Sequence, residues 1–373
     1  MIPCAAFPIL PTTAPIIRHI IKSSTMYSIT TVLTFPGTGI EGQDGSVVDC
    51  REPLGLNIQV DITKEPHKWY SLLVFDHEET SQPNQSDQYT AKIITSALKM
   101  HKNVICAKRF PPDVCEHFKA VGAENNSSFK YLPENWKVHT TKRRGALTRL
   151  QSFYILFGSI ISDASSLDVS LSCFEALSKT HRVSFVSTEE NSLLCGANSI
   201  VPIVHAPITE TERVYEINRY LADIENRTHP EITILHLAEP VLAFDDTEPN
   251  GFGIIPYILS KSVPTHAFLC SIPFLYNTQS FIEHLNNGII GQYGYPVDGI
   301  CLSNVLLDST SIAERKRISV VYMKSQFVES WLASNRTAIE IPTYNNLNAN
   351  EKQRLLSDVE SFYSDFMMSR VIP

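Results

Sequence analysis

The sequence lacks the features of a membrane-spanning protein and of a secreted one. No stretch approaches the roughly 18 consecutive apolar residues of a transmembrane helix. The apolar N-terminus has no basic region before it, and four prolines interrupt its first 15 residues. This segment predicts a first strand, a turn and a first helix rather than a signal peptide. We therefore expect a cytoplasmic protein without a membrane partner.

Paired cysteines are also missing. The eight cysteines stand at scattered positions, none in C-x-x-C or zinc-ribbon spacing, and several lie inside apolar runs such as "NVICAK" and "HAFLCSIPFLY". Such cysteines are typical of buried, reduced thiols rather than of disulfides or a zinc site.

The chain has no excess of basic residues. It carries 31 Lys and Arg against 39 Asp and Glu, for a formal net charge of −8. This balance argues against nucleic acid or an anionic membrane surface as the main partner. The densest basic run, Lys137 to Arg149, predicts a solvated linker, with a patch for an acidic partner as the alternative.

No catalytic or metal-binding motif stands out. The sequence contains no G-x-S-x-G or H-E-x-x-H, and its 12 histidines are dispersed. His236 and His266 are flanked by apolar strand residues, which favours hydrogen-bonded structural histidines. The run "DHEE" (Asp76 to Glu79) follows a predicted strand, but four consecutive side chains cannot easily converge on one metal ion. We expect no metal and no cofactor.

What the sequence does contain is an alternation of strands and helices in both halves. Apolar runs such as "SITTVLTF", "YSLLVFDH", "FYILFGSI" and "ITILHLAE" alternate with helical patterns. This predicts an α/β protein with two Rossmann-like parallel-sheet domains. We place an N-terminal domain at 1–135, a C-terminal domain at 150–335 and a C-terminal helix at 345–373, with the domain boundary between about Asn125 and Gly145.

The motif "GTGIEG" (Gly37 to Gly42) follows a predicted strand and matches G-x-G-x-x-G. A dinucleotide fingerprint needs a helix opening at its last glycine, because the pyrophosphate binds the N–H groups of that helix. Here Gly45 and Pro53 break any helix, so the motif predicts an ordinary glycine-rich loop.

The segment from Tyr154 to Thr188 predicts strand, loop, helix and strand, the order in which a P-loop domain begins. Gly158 and Ser159 end the strand, but the second glycine and the lysine of G-x-x-x-x-G-K-[ST] are absent, and Asp163 adds a negative charge. The helix start at Ser165 or Ser166 is open to two interpretations, a ligand-binding helix N-terminus or a structural crossover. We predict that one of these serines caps the helix, and that neither nucleotide nor Mg²⁺ binds between Gly158 and Leu167.

Two acidic positions lie where a ligand crevice is expected. Glu239 sits at the carboxyl end of a predicted strand, the edge that faces ligands in open α/β sheets, and Asp245 follows in an acidic loop. A solvated loop is one interpretation, and contact with a metal ion or a peptide amine is the other.

The C-terminal segment "NANEKQRLLSDVESFYSDFMM" predicts a long helix with one apolar face. We expect this face to pack across the body of the protein or onto a partner, and a homodimer is left open. The apolar positions are Leu355, Leu356, Val359, Phe362 and Phe366.

Over nearly its whole length the chain resembles the peptide maturation system proteins of clostridial-type cassettes, which modify ribosomally made, often cysteine-rich peptides such as bacteriocins. The stretches that carry the resemblance are "AAFPILPTTAPIIRHI", "SITTVLTFPGTGIEGQDG", "EPLGLNIQVD", "LFGSIISDASSLDVSLSCFEALSKTHRVSFVSTEENSLLCG", "HPEITILHLAEPVLAFDDTEPNGFGIIPYILSKSV" and "GYPVDGICLSNVLLD". The second half is similar to MinD- and dethiobiotin-synthetase-like P-loop domains. It departs from them in lacking a lysine near Ser165 and in carrying "AEPVLA" in place of a glycine-rich turn.

The resemblance implies an accessory protein that binds a precursor peptide, a modifying enzyme or both, the expected enzyme being a radical SAM maturase. The alternative is a nucleotide-dependent ligase or transferase that acts on the peptide in the crevice formed by Gly158 to Ser166, Glu239 and Asp245.

Overall fold

A computed structural model describes residues 1–23, 26–77, 83–133, 146–162, 165–243, 250–308, 318–335 and 340–371. The chain divides into two compact units. Unit 1 comprises Met1–Glu134 and Glu190–Gly196, and unit 2 comprises Asn135–Glu189 and Ala197–Pro373.

Unit 1 is built on a parallel sheet of six strands in the described residues. Its strands are β1 (Ile2–Phe7), β2 (Tyr27–Leu33), β3 (Ile58–Gln59), β4 (Ser71–Val74), β5 (Asn103–Cys106) and β6 (Phe129–Tyr131). Its helices are α1 (Ala14–Ser23), α2 (Pro83–Lys99) and α3 (Pro112–Glu124). The strand order β3-β2-β1-β4-β5-β6 is that of a doubly wound dinucleotide-binding fold. The "GTGIEG" loop leads into a short 3₁₀ turn at Gly45–Val48 rather than an α-helix, as predicted.

Unit 2 holds a second parallel sheet, of seven strands in the described residues, ordered β15-β12-β11-β7-β10-β8-β9. These strands are β7 (Phe153–Ser159), β8 (Val183–Ser187), β9 (Asn198–Ser199), β10 (Ile232–His236), β11 (Ala267–Pro273), β12 (Gly299–Ser303) and β15 (Thr343–Asn345). The two parallel sheets confirm the predicted fold class. β13 (Val305–Leu307) and β14 (Val320–Tyr322) form a separate antiparallel pair outside the seven-stranded sheet.

Helices cover both faces of the unit 2 sheet. They are α4 (Ser166–Leu177), α5 (Val201–Val204), α6 (Glu210–Thr228), α7 (Ile254–Ser262), α8 (Gln279–Tyr293), α9 (Ser325–Ser334) and α10 (Ala349–Val371). On one face, α6, α7 and α8 bury their apolar sides against alternate strand residues such as Tyr154 and Leu156. On the other, Phe174 of α4 stacks on Phe185, and Phe366 of α10 packs on Phe153. This alternation is the period of two of a strand buried on both faces.

The C-terminal helix α10 packs across the sheet, one of the two arrangements expected for it. Leu355 and Val359 are fully buried, and the Tyr344 hydroxyl donates a 2.7 Å hydrogen bond to Asp358. No helix in the described ranges is both long enough and apolar enough to cross a bilayer.

Most of the cysteines are buried, as predicted. All eight are free, and six are buried, while Cys50 and Cys195 are partly exposed. Burial raises the pKa of the Cys4 and Cys173 thiols to about 12, so both are protonated and unreactive at neutral pH.

Candidate functional site: the carboxyl edge of the unit 2 sheet

The described candidate residues meet at one edge of the unit 2 sheet. β7 and β10 are neighbours in parallel register, with Phe157 opposite His236, so both strands end at the same edge. Gly158 and Ser159 end β7, Ser166 opens α4, and Glu239 follows β10. Asp163 and Asp245 lie outside the described residues. Ligands of open α/β sheets bind at this edge.

Residue 158 is a glycine because neighbouring side chains leave no room for a Cβ atom. A Cβ atom at this position would lie 2.5 Å from Val241 Cγ1 and 3.3 Å from Phe268 Cε2. The segment after β10 crosses the end of β7, where Val241 N–H donates a 2.8 Å hydrogen bond to Ser159 O. Because a side chain of the protein already fills the space above Gly158, this glycine does not leave room for a ligand.

The start of α4 differs in one respect from the prediction. The helix begins at Ser166, as expected, but Ser165 has a φ of +64° and its side chain makes no capping hydrogen bond. A side-chain cap requires an extended backbone at the cap residue, and the left-handed conformation of Ser165 prevents it. Ser166 Oγ lies 3.2 Å from His236 Nε2 instead. The predicted serine cap was therefore wrong.

His236 is a buried, neutral histidine held on both ring nitrogens, as the sequence predicted. Its Nδ1 lies 2.9 Å from Ser187 Oγ, and its Nε2 faces Ser166 Oγ. Burial lowers the pKa of His236 to about 3. The uncharged ring thus links the ends of β8 and β10 to the start of α4.

A hydrogen bond from Thr188 positions Glu239 at the same edge. Thr188 Oγ1 donates a 2.6 Å hydrogen bond to Glu239 Oε2 and accepts one of 2.8 Å from the Ala238 N–H. Burial raises the pKa of the Glu239 carboxyl. Within the described ranges, no group of three or more His, Cys, Asp or Glu side chains is placed to hold a metal ion.

Two side chains at this edge, Ser159 and Asn346, are buried without a hydrogen-bond partner among the described residues, and Asn346 was missed from the sequence. Ser159, fully buried, has no hydrogen-bond partner for its Oγ among the described residues. Asn346, which follows β15 and is 2 % exposed, has no partner there for either Oδ1 or Nδ2. Buried polar groups are nearly always paired, so each of these two side chains calls for a partner such as an ordered water or a bound molecule. The signal available in the sequence was the polar pair "NN" after a short apolar run.

The ends of the strands along this edge carry uncharged polar groups. Ser271 lies opposite Ser159 in the register of β11 and β7, and Pro273 lies opposite Ser303 in that of β11 and β12. The polar side chains at or beside these strand ends are Ser159, Ser187, His236, Ser271, Ser303, Asn345 and Asn346. None of these seven is positively charged, because His236 is neutral.

Comparison with known proteins shows the fold alone. No protein-family model matches the chain, and no curated protein matches it. The crystal structure of a DUF1611 family protein from Anabaena variabilis is similar over 97% of this chain and 100% of that one, with a TM-score of 0.60 and 13% identity. The two-sheet architecture is therefore shared with that protein over the whole length.

Two other solved structures match only about half of the chain. An apo GTPase from Pyrococcus abyssi covers 57% of this chain and 96% of its own, at 11% identity and a TM-score of 0.30. A nucleotide-binding protein in complex with ADP from Archaeoglobus fulgidus covers 57% and 88%, at 11% identity and a TM-score of 0.29. Such scores carry no argument about function. None of the three is a peptide maturation protein, so these matches do not support that resemblance.

Proposed function

We propose that this chain is a non-catalytic accessory protein in the maturation of a ribosomally made peptide. It binds the precursor peptide, the modifying enzyme or both, and the peptide lies at the carboxyl edge of the unit 2 sheet. The observation that carries the proposal is that the strand ends at that edge bear polar side chains and no positive charge, together with its two unpartnered side chains.

A phosphate ligand needs positive charge or a cluster of free N–H groups. At this edge the strand ends present hydroxyls, amides and a neutral imidazole. The one lysine of α10 that reaches the first turn of α4, Lys352, lies 3.4 Å from Asp168 and is paired with it. The edge therefore favours an uncharged polar ligand over a nucleotide.

A peptide backbone has the complementary chemistry. Each peptide unit offers one N–H donor and one C=O acceptor. The Asn346 amide, unpartnered at both Oδ1 and Nδ2, matches this pair of groups, and Ser159 Oγ adds one donor and two acceptor positions. Hydrogen bonds to the main chain of the peptide would contribute affinity that does not depend on the peptide's side chains.

Exposed apolar side chains support contact with a larger partner. Phe252, Ile254 and Tyr257 lie within six residues at the start of α7, and their exposed fractions are 58 %, 48 % and 45 %. Exposed apolar residues grouped in this way are typical of protein interaction surfaces. We assign this segment to the modifying enzyme, for which a radical SAM maturase is the expected partner.

Isothermal titration calorimetry of the full chain tests the proposal, with candidate precursor peptides and radical SAM maturases from the neighbouring genes as titrants. Loss of the Asn346 amide should weaken precursor binding about fivefold or more in Asn346→Ala. The control is Asn125→Ala in unit 1, whose Nδ2 donates to Val121 O and whose loss should leave precursor binding unchanged.

Failure to bind either molecule would overturn the proposal. Equal weakening by both variants would place the peptide elsewhere. Saturable ATP or GTP binding at this edge would favour the alternative, a nucleotide-dependent ligase or transferase.

A further inference from the structure

A second candidate site lies at the opposite edge of the unit 2 sheet. A cavity of ≈ 420 Å³ opens beside the amino ends of β7 and β11, where Leu150 and His266 precede the two strands. Residues from α6, the end of α7 and the end of α10 complete its wall. This volume falls within the usual range of small-molecule sites, about 300–1,000 Å³.

The lining of the cavity is basic in an acidic protein. Arg149, Lys261 and Arg370 line it, and none of its twelve lining residues is Asp or Glu. No ion pair involves these three cations within the described part of the chain. Three positive charges around one cavity create a positive potential that an anion would neutralise.

Two of the cations, Lys261 and Arg370, contact uncharged groups. Lys261 Nζ donates a 3.4 Å hydrogen bond to Tyr293 O. Arg370 Nη2 donates one of 3.2 Å to Gln151 Oε1, and its guanidinium lies 4.6 Å from the centre of the Phe366 ring. Each of these contacts leaves further N–H donors of the cation available, since an ammonium carries three and a guanidinium five.

One neutral donor accompanies the charges. His266 Nδ1 accepts a 2.9 Å hydrogen bond from the Tyr154 N–H, so the neutral ring carries its proton on Nε2. Burial, and secondarily the charge of Arg370, lowers the pKa of His266 to about 4. The ring is thus uncharged at neutral pH and keeps Nε2–H as a hydrogen-bond donor.

The rest of the lining is apolar. The rings of His266 and Phe366 lie 4.4 Å apart, and Leu150, Val263 and Pro264 also line the cavity. A bare inorganic anion would use the charges but not this surface. A neutral hydrocarbon would use the surface but leave the charges without a partner.

We infer that this cavity binds a small organic anion, one carboxylate or phosphate ester group attached to an aromatic or aliphatic body. Its anionic group contacts Lys261, Arg370 and Arg149, and its apolar body packs on Phe366. The inference is independent of the proposed peptide site, because the two sites lie at opposite edges of the sheet.

Isothermal titration calorimetry with the full chain tests this with four titrants: phenyl phosphate, benzoate, inorganic phosphate and benzyl alcohol. Phenyl phosphate or benzoate should bind saturably at one site, and whichever binds more tightly identifies the preferred anionic group. Inorganic phosphate and benzyl alcohol should each bind at least about tenfold more weakly, since each lacks one half of the contacts. Added salt should weaken the binding of the anions.

The variants Lys261→Gln and Arg370→Gln locate the site. Each should weaken phenyl phosphate or benzoate binding about fivefold to tenfold, the loss of one charge-assisted hydrogen bond. Lys92→Gln, which removes a lysine from a cavity between α2 and α3 of unit 1, is the control and should leave the affinity unchanged. All three side chains lie on the surface of helices, and unfolding curves confirm that each variant is folded.

Two results would overturn the inference. One is the absence of saturable binding by both aromatic anions. The other is binding that neither Lys261→Gln nor Arg370→Gln weakens, which would place the anion outside this cavity.

Discussion

Val241 holds the space above Gly158: its Cγ1 atom lies 2.5 Å from the point where a Cβ on residue 158 would be. Val241 is itself fully buried and hydrogen-bonded through its N–H to Ser159 O. The close approach of these two residues ties the segment after β10 to the end of β7. Because of this contact, the edge lacks the open space of a phosphate-binding loop.

This contact predicts that a methyl group added at residue 158 destabilises the protein. Gly158→Ala should lower the free energy of unfolding by about 1–3 kcal/mol, because the buried backbone around it cannot move away freely. Chemical denaturation monitored by circular dichroism measures the change. The double variant Gly158→Ala with Val241→Ala should recover part of the loss.

Gly291→Ala in α8 is the matched control. A Cβ there meets nothing within 4 Å, and the residue lies inside a helix. It should be neutral or stabilising by up to about 1 kcal/mol. If the two alanine variants cost the same, the close packing at Gly158 would be disproved.

A buried ion pair in unit 1 gives a second prediction. Arg18 donates hydrogen bonds of 2.6 and 2.8 Å to the two carboxylate oxygens of Asp49, and both side chains are 5 % exposed. Asp49→Ala should cost about 3–5 kcal/mol, because it leaves a buried guanidinium without its counter-charge.

The exposed pair of Arg227 and Asp223 on α6 is the comparison, with side chains 58 % and 51 % exposed. Asp223→Ala should change the free energy of unfolding by no more than about 0.5 kcal/mol. Similar losses in the two variants would show that the first pair is not buried in solution.

His236 predicts how stability depends on pH. Its pKa is about 3 in the folded chain, whereas an unfolded histidine titrates near 6.5. Between these values the unfolded chain binds a proton that the folded chain does not. The stabilisation is therefore complete above about pH 6.5 and is lost as the pH falls towards 3, by up to about 1.4 kcal/mol per pH unit.

Unfolding curves of the parent chain and of His236→Gln between pH 7 and pH 4 test this. The variant should be less stable at pH 7, since it disturbs the hydrogen bonds to Ser166 and Ser187. As the pH is lowered, however, its free energy of unfolding should decrease less steeply than that of the parent chain. His266, with a pKa of about 4, adds to the slope in both proteins. Equal slopes in parent and variant would mean that His236 is already exposed to protons in the folded chain.

The fold was largely predictable because the strands of parallel sheets are continuous apolar runs. "FYILFGSI" and "NVICAK" both correspond to buried strands, β7 and β5. Three helices were missed, α3, α5 and α7. Each carries a proline in its first turn (Pro112, Pro202 and Pro256), which makes the segment look like a loop although proline is tolerated there.

Contacts made over long distances in the sequence were not predictable. Residues 190–196 belong to unit 1 although they follow β8 of unit 2. The Asp76 N–H donates to Asn191 Oδ1 at 2.5 Å, and Asn191 Nδ2 donates to Asp76 O at 2.8 Å. These bonds join residues 115 positions apart, and no local pattern of "ENSLLC" signals them.

The candidate site was predicted in part. Motif reasoning located Gly158, Ser159, Ser166 and Glu239 at the right edge, because the carboxyl ends of parallel strands share one edge. It missed Asn346, since β15 has only three residues and its apolar pattern is too short to mark a strand. It also expected Ser165 or Ser166 to cap α4, because the sequence shows neither the left-handed backbone of Ser165 nor the hydrogen bond between Ser166 and His236.

The last prediction concerns nucleotide. We expect ATP or GTP with Mg²⁺ at millimolar concentration to give no thermal stabilisation that depends on the start of α4. The described end of β7 offers a filled space above Gly158, and Ser166 Oγ bonds to a neutral histidine rather than to an anion. A ligand at 100 times its dissociation constant would add about 2.7 kcal/mol, which for a domain of this size raises the melting temperature by roughly 5–10 °C. Differential scanning fluorimetry resolves such a shift easily. A rise of this size that disappears in Ser166→Ala would show a working phosphate site at the start of α4 and overturn the expectation. An unchanged melting temperature at the highest nucleotide concentration would agree with an edge that binds uncharged ligands.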